Sequence, residues 1–529
     1  MKIYVVAICG VGVGNLAMLL KEQGHDVRGS EFSEKTYYPP MSELLNRSGI
    51  IVDFGFSSDC ITRDIDLVIL GGAALIHDKN NPQVARAKEL GIRVISYARG
   101  VGEFIAKEKN IEVVGNHGKT TTTALIARTL QECHVDPSYF IGGAPIGFDK
   151  TVYAGAGDWS VCEGDEYPSI GQEPGGKFMY HAPRHVVLTS ADWDHKNIYT
   201  TKSSYVDNYI KLLGILPADG TIAACYDGKD VFKVLKHAQN SINLYTLSLF
   251  SHYNPGHPPS TIACHKDIRE KITHLQKNHK EVYKRMGRVY YVHDIDFQWK
   301  GSATSKFKVA CYDVKSNDVK DLGSYETVLI GLIGIENSLA CIATLHGLGF
   351  DTGCLQNGIK AFAGVRRKLE VIPTHNEYTL INDHAHSPIK IRSALRAVRL
   401  KYPKSKIFVV FHVVQSGLKE EKTFHELSDA FNPADYVLIP RVYPDTSTRK
   451  QFYGKDYKEV IQQGTQETEC LKPGNVFYTP VITQMKSILE NNIKKNDVVI
   501  VMSSGDVQEF LLLCTKLRID IVHSPTQFT

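Results

Sequence analysis

Residues 111–130, IEVVGNHGKTTTTALIARTL, decide the fold of this 529-residue chain. An apolar run leads into a glycine-rich turn and then into a helix-forming segment, which predicts a β-strand, a loop and an α-helix. In such a loop the backbone N–H groups can face a phosphate, and the amino end of the helix adds positive potential. The residues predicted to surround the phosphate are Gly115, Asn116, His117, Gly118, Lys119, Thr120 and Thr121.

Two side chains of this loop carry chemistry of their own. Lys119 can reach the β- and γ-phosphates of a nucleotide, and the Thr120 hydroxyl can bind Mg²⁺. The loop is two residues shorter than the common GxxxxGK[ST] form, and an ordinary glycine-rich turn is the alternative interpretation. The strand and helix on either side favour phosphate binding.

Outward from this loop, short apolar runs alternate with helical segments along most of the chain. This alternation predicts βαβ units and mostly parallel sheets. We therefore predict an α/β protein of three domains: a Rossmann-like domain over residues 1–108, a central P-loop domain over 109–360, and a second Rossmann-like domain over 361–529. Residues 240–325 are polar and weakly periodic, and their pattern predicts no particular structure.

A second glycine-rich loop lies near the start, where Gly10, Gly12 and Gly14 follow the run IYVVAI. Asn15 stands where a dinucleotide fingerprint has its third glycine, so that fingerprint is incomplete. Glu31, after the next strand, is placed to accept a hydrogen bond from a ribose or a base. The pattern is equally typical of a nucleotide-type site and of a structural turn.

Acidic residues follow two predicted strands of the middle region. EGDE at 163–166 comes after WSVC, and DWDH at 192–195 comes after HVVLTSA. Strands of a parallel sheet end at one edge, and carboxylate oxygens suit Mg²⁺. Each motif alone is typical of a solvated acidic loop. Together with the phosphate loop they favour a metal site.

Two polar segments remain in the last third. NDHAHSP at 382–388 follows a strand, and it can bind nucleotide, take part in catalysis or form a turn before proline. RRK at 366–368 is either an anion clamp or, by default, an exposed basic run.

Composition narrows the classes of protein that fit. Hydrophobic residues make up 43% and charged residues 22%, as in a soluble globular protein, and the net charge of +4 argues against a nucleic-acid binder. We find no uncharged run of the ~18 residues that span a bilayer. The apolar start contains the first glycine loop and is not read as a signal peptide, so we expect a cytoplasmic protein. The eleven cysteines contain no CxxC pair, and we expect reduced thiols.

The motifs resemble those of the Mur ligase family, in the same order and over nearly the whole chain. GNHGKTTTT resembles the family's ATP loop, EGDEY its acidic metal motif, TSADWDH its TNxxxDH segment and NDHAHSP its DDYAHHP loop. AICGVGVGNLA, YYPPMSELL and GVRRKLEV are most similar to the murein peptide ligase branch. The next most similar branch is that of UDP-N-acetylmuramate–L-alanine ligases.

The resemblance implies a role for each matched residue. Lys119 binds the β- and γ-phosphates, and Thr120, Glu163 and His195 hold Mg²⁺. Arg367 approaches the γ-phosphate and His386 lines the closed active site. Asn337 approaches the adenine and Asp383 the ribose of ATP. Gly10, Gly12 and Gly14 border the UDP moiety.

The function implied is ATP- and Mg²⁺-dependent joining of UDP-N-acetylmuramate to L-alanyl-γ-D-glutamyl-meso-diaminopimelate, through an acyl phosphate, in peptidoglycan recycling. L-Alanine as the amine and a non-catalytic nucleotide-binding relative are the alternatives, and a nicotinamide-dependent oxidoreductase is disfavoured by the complete ATP loop. We expect a monomer or weak homodimer without nucleic-acid or membrane partners.

Some positions depart from the family's pattern. Ile333 and Gly334 replace a His-Asn pair, Lys368 replaces an arginine, and Ser387 replaces a histidine. Val413 and Val414 stand in a segment that lacks the Pro-Arg-Ser of murein peptide ligases, which leaves the amine open.

Overall fold

Three β-sheets organise the chain in the computed structural model. The structure describes residues 1–37, 39–76, 79–169, 173–195, 198–247, 265–297, 304–413, 424–442, 453–467 and 470–517.

The first sheet is parallel throughout, with strand order β3-β2-β1-β4-β5. Its apolar strands pack against helices on both faces, which gives two separate hydrophobic clusters. Its strands are β1 Lys2–Val6, β2 Asp26–Glu31, β3 Ile51–Phe54, β4 Leu67–Leu70 and β5 Arg93–Ser96, and its helices are α1 Val11–Glu22, α2 Met41–Arg47, α3 Pro82–Glu89 and α4 Tyr97–Phe104.

The second sheet has ten strands. Its strands are β6 Lys109–Val114, β7 Ser138–Phe140, β8 Val152–Tyr153, β9 Trp159–Glu163, β10 His185–Leu188, β11 Thr221–Cys225, β12 Ser241–Thr246, β13 Met286–Asp296, β14 Ser305–Asp313 and β15 Asp318–Thr327. Its helices are α5 Lys119–Glu132, α6 Lys202–Gly214, α7 Val231–Leu235, α8 His265–Asn278, α9 Lys280–Tyr283, α10 Gly331–Gly347 and α11 Thr352–Ala361.

The order in this sheet is β15-β14-β13-β12-β11-β10-β6-β9-β7-β8. Strands from β13 across to β7 pair in parallel, and β14 and β15 extend the sheet as antiparallel strands. β6, β9 and β10 are neighbours, so the segments that follow them meet at one edge. The described part of residues 240–325, for which the sequence predicted no structure, thus completes the sheet.

The third sheet has the order β16-β17-β21-β18-β19-β20 and is parallel except for β16. Its strands are β16 Glu370–Ile372, β17 Thr379–Asp383, β18 Ile407–Phe411, β19 Tyr436–Pro440, β20 Val476–Thr479 and β21 Val498–Met502, and its helices are α12 Pro388–Lys401, α13 Gly454–Gln463, α14 Ile482–Asn492 and α15 Gln508–Thr515. The predicted class, α/β with three sheet-based domains, is confirmed. The predicted domain boundaries stay a prediction.

In the described ranges, the helices are all too short or too polar to cross a bilayer.

The expectation that every cysteine is a reduced thiol is wrong at one pair. Cys133, which ends α5, forms a disulfide with Cys354 in the first turn of α11. The two lie 221 residues apart in sequence, and only the packing of α5 on α11 brings them together. Eight other cysteines are free thiols, and Cys264 lies outside the described residues.

Removing this cross-link should destabilise the central sheet. A disulfide that closes a long loop restricts the unfolded chain, so Cys133→Ser should lower the free energy of unfolding by about 2–5 kcal/mol. Urea denaturation measures the change, with Cys470→Ser, which alters a free thiol, as the control. Thiol titration of denatured wild-type protein should find two more thiols after reduction than before. Equal counts would contradict the cross-link.

Candidate functional site

The phosphate loop, residues 115–121, turns at two glycines with positive φ. Gly115 has φ of 126° and Gly118 has φ of 76°, in the region that side chains disfavour. A Cβ at Gly115 would lie 2.2 Å from Thr189 Oγ1, and a Cβ at Gly118 would lie 2.3 Å from Asn337 Oδ1. Both positions therefore require glycine. α5 starts directly after Gly118, so its free N–H groups face the loop.

The end of β10 supports this loop from one side. The Thr189 hydroxyl donates to the carbonyl of His117 at 2.7 Å, and the backbone N–H of Asn116 donates to Ser190 Oγ at 3.0 Å. The Asn116 amide group also donates to the carbonyl of Asp192. These bonds hold the loop in shape without using Lys119 or Thr120.

Lys119 and His195 share one carboxylate, that of Glu166. The Lys119 ammonium donates to Glu166 Oε2 at 2.8 Å and to the Gly115 carbonyl at 2.6 Å. His195 Nε2 lies 3.1 Å from Glu166 Oε1. Glu166 lies within the EGDE motif, whose sequence pattern predicted no role for this residue. Its place three residues after Glu163 was the available signal.

This cluster is electrostatically strong because it is largely buried. Burial disfavours the Lys119 charge, but the Glu166 carboxylate outweighs it and raises the lysine's pKa. Burial also opposes ionisation of Glu166, yet the hydrogen bonds and charges of His195 and Lys119 lower its pKa to about 2. The hydrogen bond to Glu166 in turn raises the pKa of His195.

Thr120 and Glu163 face each other beside the loop. The Thr120 hydroxyl donates to Glu163 Oε1 at 2.8 Å, and Glu163 Oε2 accepts from the Gly142 N–H at 2.7 Å. Burial raises the pKa of Glu163, although Lys119 acts in the opposite direction. A hydroxyl and a carboxylate form a hard-oxygen pair that suits Mg²⁺. His195, predicted as a third ligand, contacts Glu166 instead of this pair.

Arg367 is held within the C-terminal sheet. One guanidinium nitrogen, Nη2, donates to the carbonyls of Ser503 and Gly505, each at 2.7 Å, and the backbone N–H donates to Glu370 Oε2 at 2.9 Å. The prediction that Arg367 approaches a γ-phosphate is untested, but these bonds tie its side chain to its own domain.

Lys368, the next residue, has an exposed side chain near carboxylates of both the central and the C-terminal domains, and we call the space between these domains the cleft. Among the described residues no group accepts a hydrogen bond from its ammonium. Desolvation by the surrounding protein lowers the pKa of Lys368, while the negative charges of Asp383 and Glu163 oppose that shift. Asp383 ends β17 and Glu163 ends β9, so carboxylates of both sheets act on the charge of Lys368.

The NDHAHSP segment runs from the end of β17 through a turn to the start of α12. Asp383 accepts backbone N–H bonds from Leu369 and Ala385, each at 2.7 Å, and burial raises its pKa. His386 Nδ1 lies 2.8 Å from the His384 carbonyl, so Nδ1 is the protonated nitrogen and Nε2 keeps a lone pair. Burial lowers the pKa of His386, and it lowers that of His384 to about 4.

Asn337 and its neighbours lie behind the phosphate loop. The side chain of Asn337 is buried, and its Oδ1 accepts from the Thr122 hydroxyl at 3.3 Å. Gly334 is also buried, where a Cβ would lie 2.6 Å from Leu329 Cβ. The predicted approach of Asn337 to adenine is untested. Val413 is buried in the C-terminal core, and Val414 lies outside the described residues.

The first glycine loop begins α1. Gly10 caps the helix, and its carbonyl accepts from the Gly14 N–H at 2.7 Å. A Cβ at Gly12 would lie 3.2 Å from the Tyr97 ring and 3.4 Å from the Phe140 ring, so the loop packs closely against α4 and the central sheet.

Glu31 braces this loop from beneath. Its Oε2 accepts from the Cys9 N–H at 2.9 Å, and its Oε1 accepts from the Phe32 N–H at 2.9 Å and the Thr36 hydroxyl at 3.1 Å. The predicted hydrogen bond from Glu31 to a ligand is untested. Both of its oxygens are occupied by these contacts within the protein.

Two family profiles match the ends of the chain. One, described as the catalytic domain of the Mur ligase family, matches residues 2–109, and another, described as the glutamate ligase domain of Mur ligases, matches residues 367–505.

Curated relatives align over most of their length. The chain is 26% identical over 505 residues to UDP-N-acetylmuramate–L-alanine ligase of Desulforapulum autotrophicum, covering 96% of each. It is 27% identical over 441 residues to UDP-N-acetylmuramate–L-alanyl-γ-D-glutamyl-meso-2,6-diaminoheptandioate ligase of Escherichia coli, covering 83% of this chain and 84% of that relative.

Solved structures share the fold. A murein peptide ligase of Psychrobacter arcticus superposes with a TM-score of 0.58 at 21% identity, covering 98% of this chain and 99% of that one. A UDP-N-acetylmuramate–alanine ligase of Thermotoga maritima superposes with a TM-score of 0.62 at 19% identity, covering 96% of each.

Glu166 should make the fold sensitive to acid. A carboxyl whose pKa is lower in the folded chain stabilises the fold above its unfolded pKa, and this stabilisation is lost as the pH falls through both values. For Glu166 the window runs from its ordinary value of 4.5 down to about 2. Glu166→Gln should therefore lower the free energy of unfolding by roughly 3 kcal/mol at pH 7. Between pH 4.5 and about pH 2 the variant should lose less stability than the wild type.

Thermal unfolding between pH 7 and pH 2 measures this effect. Glu163→Gln is the matched control, because the raised pKa of Glu163 provides no such acid-side stabilisation. An equal loss of stability between pH 4.5 and about pH 2 in Glu166→Gln and in the wild type would contradict the assignment.

Proposed function

Because this chain belongs to the Mur ligase family, we propose that it is an ATP- and Mg²⁺-dependent ligase that joins UDP-N-acetylmuramate to the amine of L-alanyl-γ-D-glutamyl-meso-diaminopimelate. The observation that carries the proposal is the phosphate loop with Lys119 inside it and the unpaired Lys368 across the cleft. Cations on two sides of a transferring phosphoryl group are what this chemistry requires.

The reaction proceeds in two steps. The muramyl carboxylate attacks the γ-phosphorus of ATP, which forms an acyl phosphate and releases ADP. The amine then attacks the acyl carbon, phosphate leaves, and the nitrogen loses a proton. The lone pair on His386 Nε2 makes this imidazole, neutral at pH 7, the group proposed to accept that proton.

ATP binding rearranges the resting contacts of Lys119. Its ammonium exchanges the Glu166 carboxylate for the β- and γ-phosphates, while the N–H groups of the loop surround the phosphates. Glu166 then keeps His195 as its remaining partner. Because Glu166 holds Lys119 charged and close to the loop before ATP arrives, little reorganisation is needed.

Thr120 and Glu163 are the residues proposed to hold Mg²⁺, with His195 as the further predicted ligand. The ion supplies neutralisation of phosphate charge. The hydroxyl and the carboxylate already face each other at 2.8 Å, which supports this assignment for Thr120 and Glu163. His195 Nε2 contacts Glu166, so His195 must give up this contact to bind the ion through that nitrogen.

We assign the C-terminal phosphate contact to Lys368 in place of Arg367. The Arg367 guanidinium donates to two carbonyls of its own domain, whereas the Lys368 ammonium lies in the cleft without a hydrogen-bond partner among the described residues. An unpaired cation between Glu163 and Asp383 is well placed to meet an incoming phosphate.

The UDP moiety is proposed to lie against the first glycine loop. Gly10 and Gly12 leave the backbone at the start of α1 accessible to a pyrophosphate, while the buried Gly14 packs against Met41. Glu31 acts indirectly in this proposal, because its oxygens hold the N–H of Cys9 and the segment after β2. L-Alanine is the second candidate for the amine, favoured by the relatives that align over 96% of this chain.

A phosphate-release assay tests the function. With ATP, Mg²⁺ and UDP-N-acetylmuramate, the tripeptide and L-alanine are offered in separate reactions, and we expect turnover with the tripeptide. Turnover with L-alanine alone would move the assignment to the second candidate. Bound ATP without release in either reaction would indicate a non-catalytic relative. Lys119→Ala should abolish release and stay folded, while Lys211→Ala on the surface of α6 should match wild type.

The assignment of Lys368 has its own test. Lys368→Ala should lower kcat about 100-fold, the usual effect of removing one group that stabilises transition-state charge. Lys368→Arg should restore most of the activity. Arg367→Ala should mainly lower stability, because it breaks two bonds to carbonyls at the end of β21. Full activity in Lys368→Ala together with a large loss of kcat in a folded Arg367→Ala would reverse the assignment.

A further inference from the structure

Lys401, the last residue of α12, inserts its side chain into the central domain. It is 2% exposed. Its ammonium donates to the carbonyls of Phe297 and Thr304, each at 2.7 Å, and to Ser305 Oγ at 3.2 Å. These acceptors lie at the facing ends of β13 and β14, an antiparallel pair of the central sheet that we call the β13–β14 extension.

The three hydrogen bonds use the full capacity of the ammonium, which has three donors. Lysine is rarely buried without a carboxylate partner, because the lost hydration is costly. Burial accordingly lowers the pKa of Lys401 to about 8, although Asp296 acts in the opposite direction. A buried ammonium of this kind is stable only where its hydrogen-bond acceptors are held in place around it.

The same end of α12 is packed into the central domain at two further points. Leu400 packs against the main hydrophobic cluster of the central sheet. Ala397 lies so close to Gly331, the first residue of α10, that a Cβ there would be 2.4 Å from Ala397 Cβ. In return Ile330 belongs to the C-terminal cluster.

The other end of α12 faces the phosphate loop. The helix has 14 residues and so spans about 21 Å. It begins at Pro388, directly after the turn that carries Asp383 and His386. Burial lowers the pKa of His117, and the charge of Lys390 lowers it further, so Lys390 acts on a residue of the phosphate loop. One rigid helix therefore links the β13–β14 extension to the groups beside the phosphate loop.

We propose that Lys401 is a positioning residue that anchors the C-terminal domain to the β13–β14 extension. The anchor keeps the carboxyl end of α12 in place, so that closure of the C-terminal domain is a rotation about this end. Such a rotation moves the amino end of α12, together with Lys390 and the 383–387 turn, against the phosphate loop. The effect on turnover rests on the proposed ligase function, whereas the anchor itself does not.

Hydrogen exchange and small-angle scattering of the full chain test the anchor directly. Lys401→Met keeps the length of the side chain but cannot donate. We expect faster exchange in residues 286–297, 304–313 and 388–401 and a larger radius of gyration. Lys404→Met, an exposed lysine three residues further on, is the matched control and should behave as wild type.

Kinetics separate positioning from a general loss of structure. If α12 sets the geometry over ATP, Lys401→Met should lower kcat about 100-fold while its KM for ATP changes little, because the phosphate loop belongs to the central domain. Equal losses in kcat and ATP binding would overturn the positioning role. If even the wild type releases no phosphate, exchange and scattering still decide whether the anchor exists.

A second variant covers the case in which Lys401→Met does not fold. Ser305→Ala removes one acceptor and leaves the lysine in place, and it should raise exchange in residues 388–401 to a smaller extent. Wild-type exchange and scattering in a folded Lys401→Met, or wild-type exchange in Ser305→Ala when the first variant is unfolded, would overturn the proposal.

Discussion

The turn between β6 and α5 is the constraint on which the rest of the site depends. Its shape requires positive φ at Gly115 and Gly118, and neighbouring atoms leave no room for a Cβ at either. Thr189 and Ser190 then hold the loop by its backbone. Because contacts to the backbone hold the shape of the loop, the side chains of Lys119 and Thr120 are available to contact charged groups. β9 and β10 bring those groups to the same edge of the sheet.

Charge around this loop is balanced before any ligand arrives. Glu166 neutralises Lys119 and orients His195, while Glu163 faces Thr120. Lys368, from the C-terminal domain, adds a cation for which the described residues provide no acceptor. A site with its own counter-ions and an unpaired cation opposite suits a ligand that brings several negative charges.

Helix α12 connects the C-terminal and central domains and sets how the charged groups of one lie relative to those of the other. α12 begins beside the turn that holds Asp383 and ends with Lys401 inside the central domain. The part of the chain with the weakest sequence pattern supplies the acceptors for that lysine. The β13–β14 extension thus helps to position the C-terminal domain over the central domain. This role is a reason for its end to carry polar acceptors for Lys401.

The sequence by itself determined the α/β class, the three sheets and the phosphate loop, because apolar periodicity and glycine positions are local properties of the chain. It also identified the segments that carry Glu163, His195 and Asp383, since strand ends are visible as polar residues after apolar runs. It did not distinguish Lys368 from Arg367, which are adjacent in sequence and differ only in what surrounds each side chain.

Only the tertiary structure decided which partners these side chains meet. It paired Glu166 with Lys119, occupied both oxygens of Glu31, joined Cys133 to Cys354 across 221 residues and buried Lys401 in another domain. Each of these contacts joins segments distant along the chain. Their distances and burial follow from how sheets and helices pack, which no local pattern of residues contains.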